Sequence, residues 1–294
     1  MNRKYNFISG LPRSGSTLLS AILKQNPRFT TGISDPLELY VNGIIKHTES
    51  NVGMSVSVDV DKRKNIIRSL FDSFYEDGNE VCFNTNRGWA SQGALLEDLF
   101  PNFKMIICVR DIPWILDSFE ILNEKNPYTI KPLYHHLQLN TVQERCHMLM
   151  GAMPNYFGYV AGPLECVQHA MYCTQRNNMC FLDYDTLVKH PRESLTRIYD
   201  FLDEPWFEHD FDNVEDSYDE FDVEAKIIGL HTIRKKVEYK QRRTIIPQVI
   251  WNQYEQSSFW NYNLELRKEL NWIDVGLPIK NANKYIHQYN KRQL

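Results

Sequence analysis

The chain has 294 residues, of which 43% are hydrophobic, 13% aromatic and 24% charged. That balance belongs to a globular protein and excludes disordered or collagen-like chains. Lys and Arg total 33 against 37 Asp and Glu, a net charge of −4, so the basic footprint of a dedicated nucleic-acid binder is missing.

The length fits one large α/β domain. No apolar run reaches the ~20 residues of a membrane helix. The opening MNRKYNFISG has neither the apolar stretch nor the small-residue cleavage site of a signal peptide. Cys82, Cys108, Cys146, Cys166, Cys173 and Cys180 include no CxxC pair, and they read as reduced thiols of a cytoplasmic protein.

A β-type run at residues 5–9 ends at Gly10, and a Gly/Ser-rich loop leads into a helical pattern at 17–25 that Asn26-Pro27 stops. A helix is expected at 65–75, a strand at 81–84 and a helix at 93–100. The next strand, 105–109, leads directly into a helix at 113–124, with Asp111 placed to cap it and Pro113 in its first turn. Residues 125–178 hold a longer stretch with two helices, around 142–150 and 164–175. A fourth strand at 179–183 precedes a helix at 191–202. The strands are short and apolar on both faces, which suits buried parallel strands, and their alternation with helices predicts a parallel sheet covered on both sides.

Residues 203–224 carry eleven acidic side chains and no Lys or Arg. Arg234, Lys235, Lys236, Lys240, Arg242 and Arg243 follow. Two readings stand: a solvated acidic loop beside an ordinary basic face, or a basic segment folded over an anionic ligand.

The first loop, Gly10-Leu-Pro-Arg-Ser-Gly-Ser-Thr17, has the frame of a Walker A motif, but Ser16 stands where the lysine belongs. Such a loop still offers backbone N–H groups and a helix N-terminus to a phosphate. It lacks the lysine that reaches the β- and γ-phosphates of a nucleoside triphosphate. The positive charge sits at Arg13 instead. A second element lies at the end of the strand 105–109, where Arg110 is followed eight residues later by Ser118. Both can face the crevice where open α/β sheets bind ligands, and a guanidinium with a hydroxyl suits a second phosphate. Pairing of Arg110 with Asp111 or Asp117 is the alternative.

Together FISGLPRSGSTLL, ICVRDIPWILDSF and FLDYDTLVKHPRESLTRIYDFLDEP resemble the sulfotransferase family that uses 3′-phosphoadenosine 5′-phosphosulfate (PAPS). The resemblance runs from about residue 5 to residue 260, nearest to bacterial members and more distantly to tyrosylprotein and heparan enzymes. It implies a P-loop-like parallel sheet flanked by helices, with a helical insertion covering the site. It also implies a sulfotransferase domain over 1–262 and a helical C-terminal extension, 263–294, packed on it. The implied donor is PAPS and the implied product PAP, with no metal required. Arg13, Ser14, Gly15, Ser16 and Thr17 then hold the 5′-phosphosulfate, and Arg110 with Ser118 the 3′-phosphate. Tyr184, opening the segment Tyr184-Asp185-Thr186-Leu187, and Arg234 with Lys235 in a closing loop complete the donor site.

Sulfuryl transfer to a hydroxyl or amine needs in-line positioning, proton removal and neutralisation of the leaving phosphate. Arg13 and Arg87, the latter at the end of the second expected strand, are candidates for the charge. For the base, the tyrosylprotein branch places a glutamate downstream of the loop arginine. Asp35 is the nearest carboxylate here, with Glu38 and His47 as alternatives. A P-loop kinase and a PAP-binding module without turnover remain competing readings. Cys166, His169 and Cys173 share a helical spacing but read as thiols and a core histidine. The acceptor stays open among small molecules, saccharides and peptides, and no motif encodes it or the oligomeric state.

Overall fold

A computed structural model of the chain describes residues 3–76, 79–128, 134–153, 158–215 and 219–275. Six strands form one sheet: β1 (Lys4–Gly10), β2 (Phe29–Thr31), β3 (Val81–Thr85), β4 (Met105–Val109), β5 (Met179–Asp183) and β6 (Asn271–Ile273). The order is β2-β3-β1-β4-β5-β6, and every pairing is parallel, with Phe7 opposite Asn84, Gly10 opposite Cys108 and Val109 opposite Asp183. The mixed α/β sheet flanked by helices is therefore as expected.

Side chains alternate along each strand, and both faces are apolar. Phe7, Met105, Ile107, Val109 and Phe181 enter one core; Ile8, Ile106, Cys108, Cys180 and Leu182 enter the other. Burial of each such side chain is worth roughly 1.5–3 kcal/mol. The helices Ser16–Leu23 and Pro191–Leu202 cover the second face, through Leu19, Ile22, Leu195 and Ile198. The helices Val60–Phe74, Gly93–Leu99 and Ile112–Lys125 cover the first, through Phe71, Leu96, Ile115 and Phe119. The insertion contributes the helices Val142–Leu149 and Ala161–Tyr172 to that same face.

This arrangement positions the site. The helix after β1 lies on one face of the sheet and the helix after β4 on the other, although β1 and β4 are neighbours. A crevice opens at their carboxyl ends, the switch point at which open α/β sheets take ligands.

Three local expectations change. Asp111 sits at the N-cap of Ile112–Lys125 without capping it by its side chain. Its Oδ1 accepts from Asn261 Nδ2 at 2.5 Å, and the Ile112 N–H donates to Ser258 Oγ at 2.8 Å. The helix at 65–75 begins earlier, at Val60, where Asp59 accepts from the Lys62 N–H. The sheet also runs past residue 262: β6 pairs with β5, and the helix Leu264–Glu269 precedes it. The rest of the expected C-terminal extension, 276–294, lies outside the described residues.

Candidate active site

The loop after β1 follows from its glycines. Gly10 has φ +119, and a Cβ there would lie 2.1 Å from the Cys108 carbonyl oxygen, so only glycine lets β1 close on β4 at this point. Gly15 has φ +93 and caps Ser16–Leu23 with no side-chain hydrogen bond, and no acidic residue stands in the first turn. The helix thus presents unsatisfied N–H groups to the crevice. Ser14 Oγ donates back to the Leu11 carbonyl at 2.5 Å, which stiffens the turn.

Arg13 holds a left-handed φ of 58°. Its Nε donates to Ser118 Oγ at 3.1 Å, and its Nη1 to the Leu230 carbonyl. Arg110 reaches back from β4, donating through Nη1 to the Arg13 carbonyl at 3.0 Å. Its guanidinium lies over the Tyr184 ring, 4.2 Å from the centroid. Asp117 instead meets Arg242 and Asp111 meets Asn261, so neither carboxylate takes Arg110. Neither Arg13 nor Arg110 makes an ion pair among the described residues. Burial, with the charge of Arg110 behind it, pushes Arg13 down to about 10, and burial also lowers Arg110. Arg110 Nε is buried and has no hydrogen-bond partner. Two desolvated guanidiniums, one with an orphaned donor, fit an oxyanion and nothing apolar.

Arg87 arrives by a different route. A 3-10 turn, Arg87–Ser91, follows β3 and is anchored by Trp89, which is fully buried. Ser9 Oγ donates to the Arg87 carbonyl at 2.9 Å and accepts from the Ala90 N–H at 3.1 Å. The turn is thereby tied to β1, and Arg87 lies over the Tyr159 ring at 4.6 Å. Arg13, Arg87, Arg110, Ser118, Tyr184 and Arg234 all line one cavity of about 670 Å³. Gly15, Ser16 and Thr17 line it as well.

The model for the Sulfotransferase family matches residues 7–208. The chain belongs to the sulfotransferase family. It is 25% identical over 209 residues to protein-tyrosine sulfotransferase A of Caenorhabditis elegans, covering 68% of this chain and 50% of that one. It is likewise 25% identical to the Drosophila melanogaster protein-tyrosine sulfotransferase, over 68% of this chain and 38% of that one. The chain thus spans half or less of the length of these two relatives. The crystal structure of a sulfotransferase from Alicyclobacillus acidocaldarius shares the fold at TM-score 0.50 and 14% identity, covering 71% of this chain and 85% of that one.

The sulfotransferase reading of Lys235 meets a different geometry. Its Nζ pairs with Glu215 at 2.5 Å on the surface, and its side chain is 73% exposed. Main-chain bonds hold Lys235 beside the acidic segment: Val214 N–H donates to the Lys235 carbonyl and Val237 N–H to the Phe211 carbonyl. Arg234 and Lys236 are among the residues lining the cavity and Lys235 is not. Acidic and basic segments partly neutralise each other, through Glu215–Lys235 and Asp212–Lys236.

None of the three expected bases lines the cavity. Asp35 is buried; its Oδ2 accepts from the Thr85 N–H at 2.7 Å, its own N–H donates to the Thr85 carbonyl, and its carbonyl accepts from Asn86 Nδ2. It fixes the end of β3 just before Arg87. Burial pushes its carboxyl up to about 6, against the Thr85 hydrogen bond. Glu38 accepts from Asn42 and Gln92 side chains at 2.6 and 2.8 Å. His47 is exposed near the end of Leu37–Thr48. The cavity does contain groups that the sequence reading left unassigned, among them Trp114, Tyr159, Phe221 and His231. His231 Nδ1 lies 2.7 Å from Asp222 Oδ1.

Proposed function

We propose that this protein transfers a sulfuryl group from PAPS to a phenolic hydroxyl, with a tyrosine-containing peptide as the acceptor class. The carrying observation is the pair Arg13 and Arg110: buried guanidiniums without an ion pair among the described residues, at the switch-point crevice, with Arg110 donating to the Arg13 main-chain carbonyl and its Nε orphaned. Two separate phosphates on one nucleotide match two such cations better than a single phosphate does.

In this reading the uncapped N-terminus of Ser16–Leu23, with Ser16, Thr17 and Arg13, neutralises charge on the leaving 5′-phosphate. Arg87 adds charge from the side. Arg110 and Ser118 hold the 3′-phosphate, and Arg234 closes over it. Tyr184 supports Arg110 by its ring face. The relatives named as protein-tyrosine sulfotransferases support a phenolic acceptor, as do the aromatic walls Trp114, Tyr159 and Phe221. Ser16 in place of the Walker lysine disfavours ATP.

Calorimetric titration in EDTA with PAP, adenosine 5′-phosphate and ATP tests the donor. Binding that needs the 3′-phosphate and no metal is expected. Preference for ATP with Mg²⁺, or no binding of PAP, overturns the reading.

A further inference from the structure

Proton removal from the acceptor has no owner among Asp35, Glu38 and His47, because none of them lines the cavity. Within the cavity, the acidic residues Asp185 and Glu238 are paired with Lys189 at 3.1 Å and Lys240 at 2.7 Å. His231 also lines the cavity. It lies one residue beyond Leu230, whose carbonyl accepts from Arg13, so the chain brings it to the end of the site where the leaving phosphate is neutralised. Asp222 holds it there. The Asp222 carboxylate accepts from the Gly229 N–H at 3.1 Å, from the His231 N–H at 3.0 Å and from His231 Nδ1 at 2.7 Å. Gly229, with φ +89, makes the turn that returns His231 onto Asp222. The Phe221 ring meets the imidazole edge-on at 4.8 Å.

Resting on the sulfotransferase reading above, we propose that His231, oriented by Asp222, is the general base that accepts the proton of the acceptor hydroxyl. With Nδ1 donating to the carboxylate, the neutral ring carries its lone pair on Nε2. Burial, with Arg87 and Arg13 adding to it, lowers the pKa of His231 against the pull of Asp222, which keeps the ring neutral and able to take a proton. The acceptor oxygen bonds to sulfur as the bond from sulfur to the 5′-phosphate oxygen breaks. The acceptor proton passes to Nε2, and the electron pair of the broken bond leaves with the phosphate. Asp222 stabilises the imidazolium, as the aspartate of a hydrolase triad does, and the proton returns to water after product leaves.

The test compares two phenols with PAPS as donor: N-acetyltyrosine amide, whose proton must be removed, and 4-nitrophenol, largely ionised in mildly alkaline buffer. His231→Gln should lower kcat on the tyrosine amide by about 10²–10⁴-fold and on 4-nitrophenol far less, with PAP affinity unchanged by calorimetry. Free imidazole should restore part of the tyrosine activity of His231→Ala. Wild-type kcat in His231→Gln, or equal loss on both phenols without imidazole rescue, overturns the assignment. Wild-type protein that binds PAP and sulfates neither phenol overturns it too. Failure of the wild-type protein to bind PAP instead brings down the sulfotransferase reading beneath it, and calorimetry shows which of the two has failed.

Discussion

Arg110 donates to the main-chain carbonyl of Arg13 at 3.0 Å. The contact joins the end of β4 to the loop after β1, so the two cationic elements form one rigid unit at the switch point. Their side chains then diverge, Arg13 toward Ser118 and Leu230, Arg110 across the ring of Tyr184. A ligand with two separated phosphates can engage both without moving the backbone.

Replacing Arg110 with alanine should act mostly on the 3′-phosphate and less on the 5′-phosphate, through the lost bond to the Arg13 carbonyl. A lost charged hydrogen bond costs about 1.5–3 kcal/mol, roughly 10- to 100-fold in PAP affinity. Adenosine 5′-phosphate, which lacks the 3′-group, should lose clearly less affinity than PAP. Calorimetry on both ligands decides; equal losses for both would place Arg110 at the 5′-end.

Gly15 carries a more severe constraint. It has φ +93, and a Cβ would come within 2.9 Å of the Tyr184 ring. Gly15→Ala meets backbone strain of about 1–2 kcal/mol and pushes against the ring that supports Arg110. Both PAP and adenosine 5′-phosphate should weaken, and the melting temperature should fall. An unchanged PAP affinity would show that the loop tolerates a side chain and that Tyr184 does not brace it.

What the sequence discloses depends on how local each signal is. Strands β1, β3, β4 and β5 are apolar runs, legible within a residue or so, whereas β2 and β6 have three residues each and no period to read. The Arg13 and Arg110 elements are motifs set by a strand and the loop that follows it, so their meeting was inferable. Lys235 was misplaced because its orientation depends on the pairing of residues 211–214 with 235–237, which no spacing encodes. Asp35 illustrates the reverse. Its position after the loop suggested chemistry, but the fold gives its carboxylate to the Thr85 N–H. His231 and Asp222 are nine residues apart in an acidic-to-basic stretch without a motif, and only the turn at Gly229 makes them a pair.

Asp35 should reveal itself through pH. Burial pushes its carboxyl up to about 6, so the folded chain keeps the proton over a range where the unfolded chain has released it. Stability then falls as pH rises from about 4 to 6, by on the order of 3 kcal/mol. Asp35→Asn removes that titration and can still accept from the Thr85 N–H. Its stability relative to wild type should rise across the same window, measured by urea unfolding at about pH 4 and pH 7. A pH-independent difference would refute the raised carboxyl. Its kcat should stay within about tenfold of wild type, since loss of a general base costs 10²-fold or more.

Asp117 governs how the basic segment lies over the cavity. It is fully buried on the helix Ile112–Lys125, one residue before Ser118. Its carboxylate accepts from Arg242, from Thr244 Oγ1 at 2.8 Å and from the Ile245 N–H at 2.7 Å. Arg242 in turn lies over Trp114 at 4.8 Å. The segment carrying Arg234 is thus fastened downstream to the helix that carries Ser118. Asp117→Asn keeps the volume but removes the charge and one acceptor oxygen, at a cost of about 1–3 kcal/mol. Loosening should weaken PAP more than adenosine 5′-phosphate, because Arg234 then closes less often over the 3′-phosphate. Arg242→Ala should move both affinities in the same direction, since it breaks the same fastening from the other side. If Asp117→Asn lowers the melting temperature while both nucleotides bind as in wild type, the fastening serves stability alone and Arg234 has no part in donor binding.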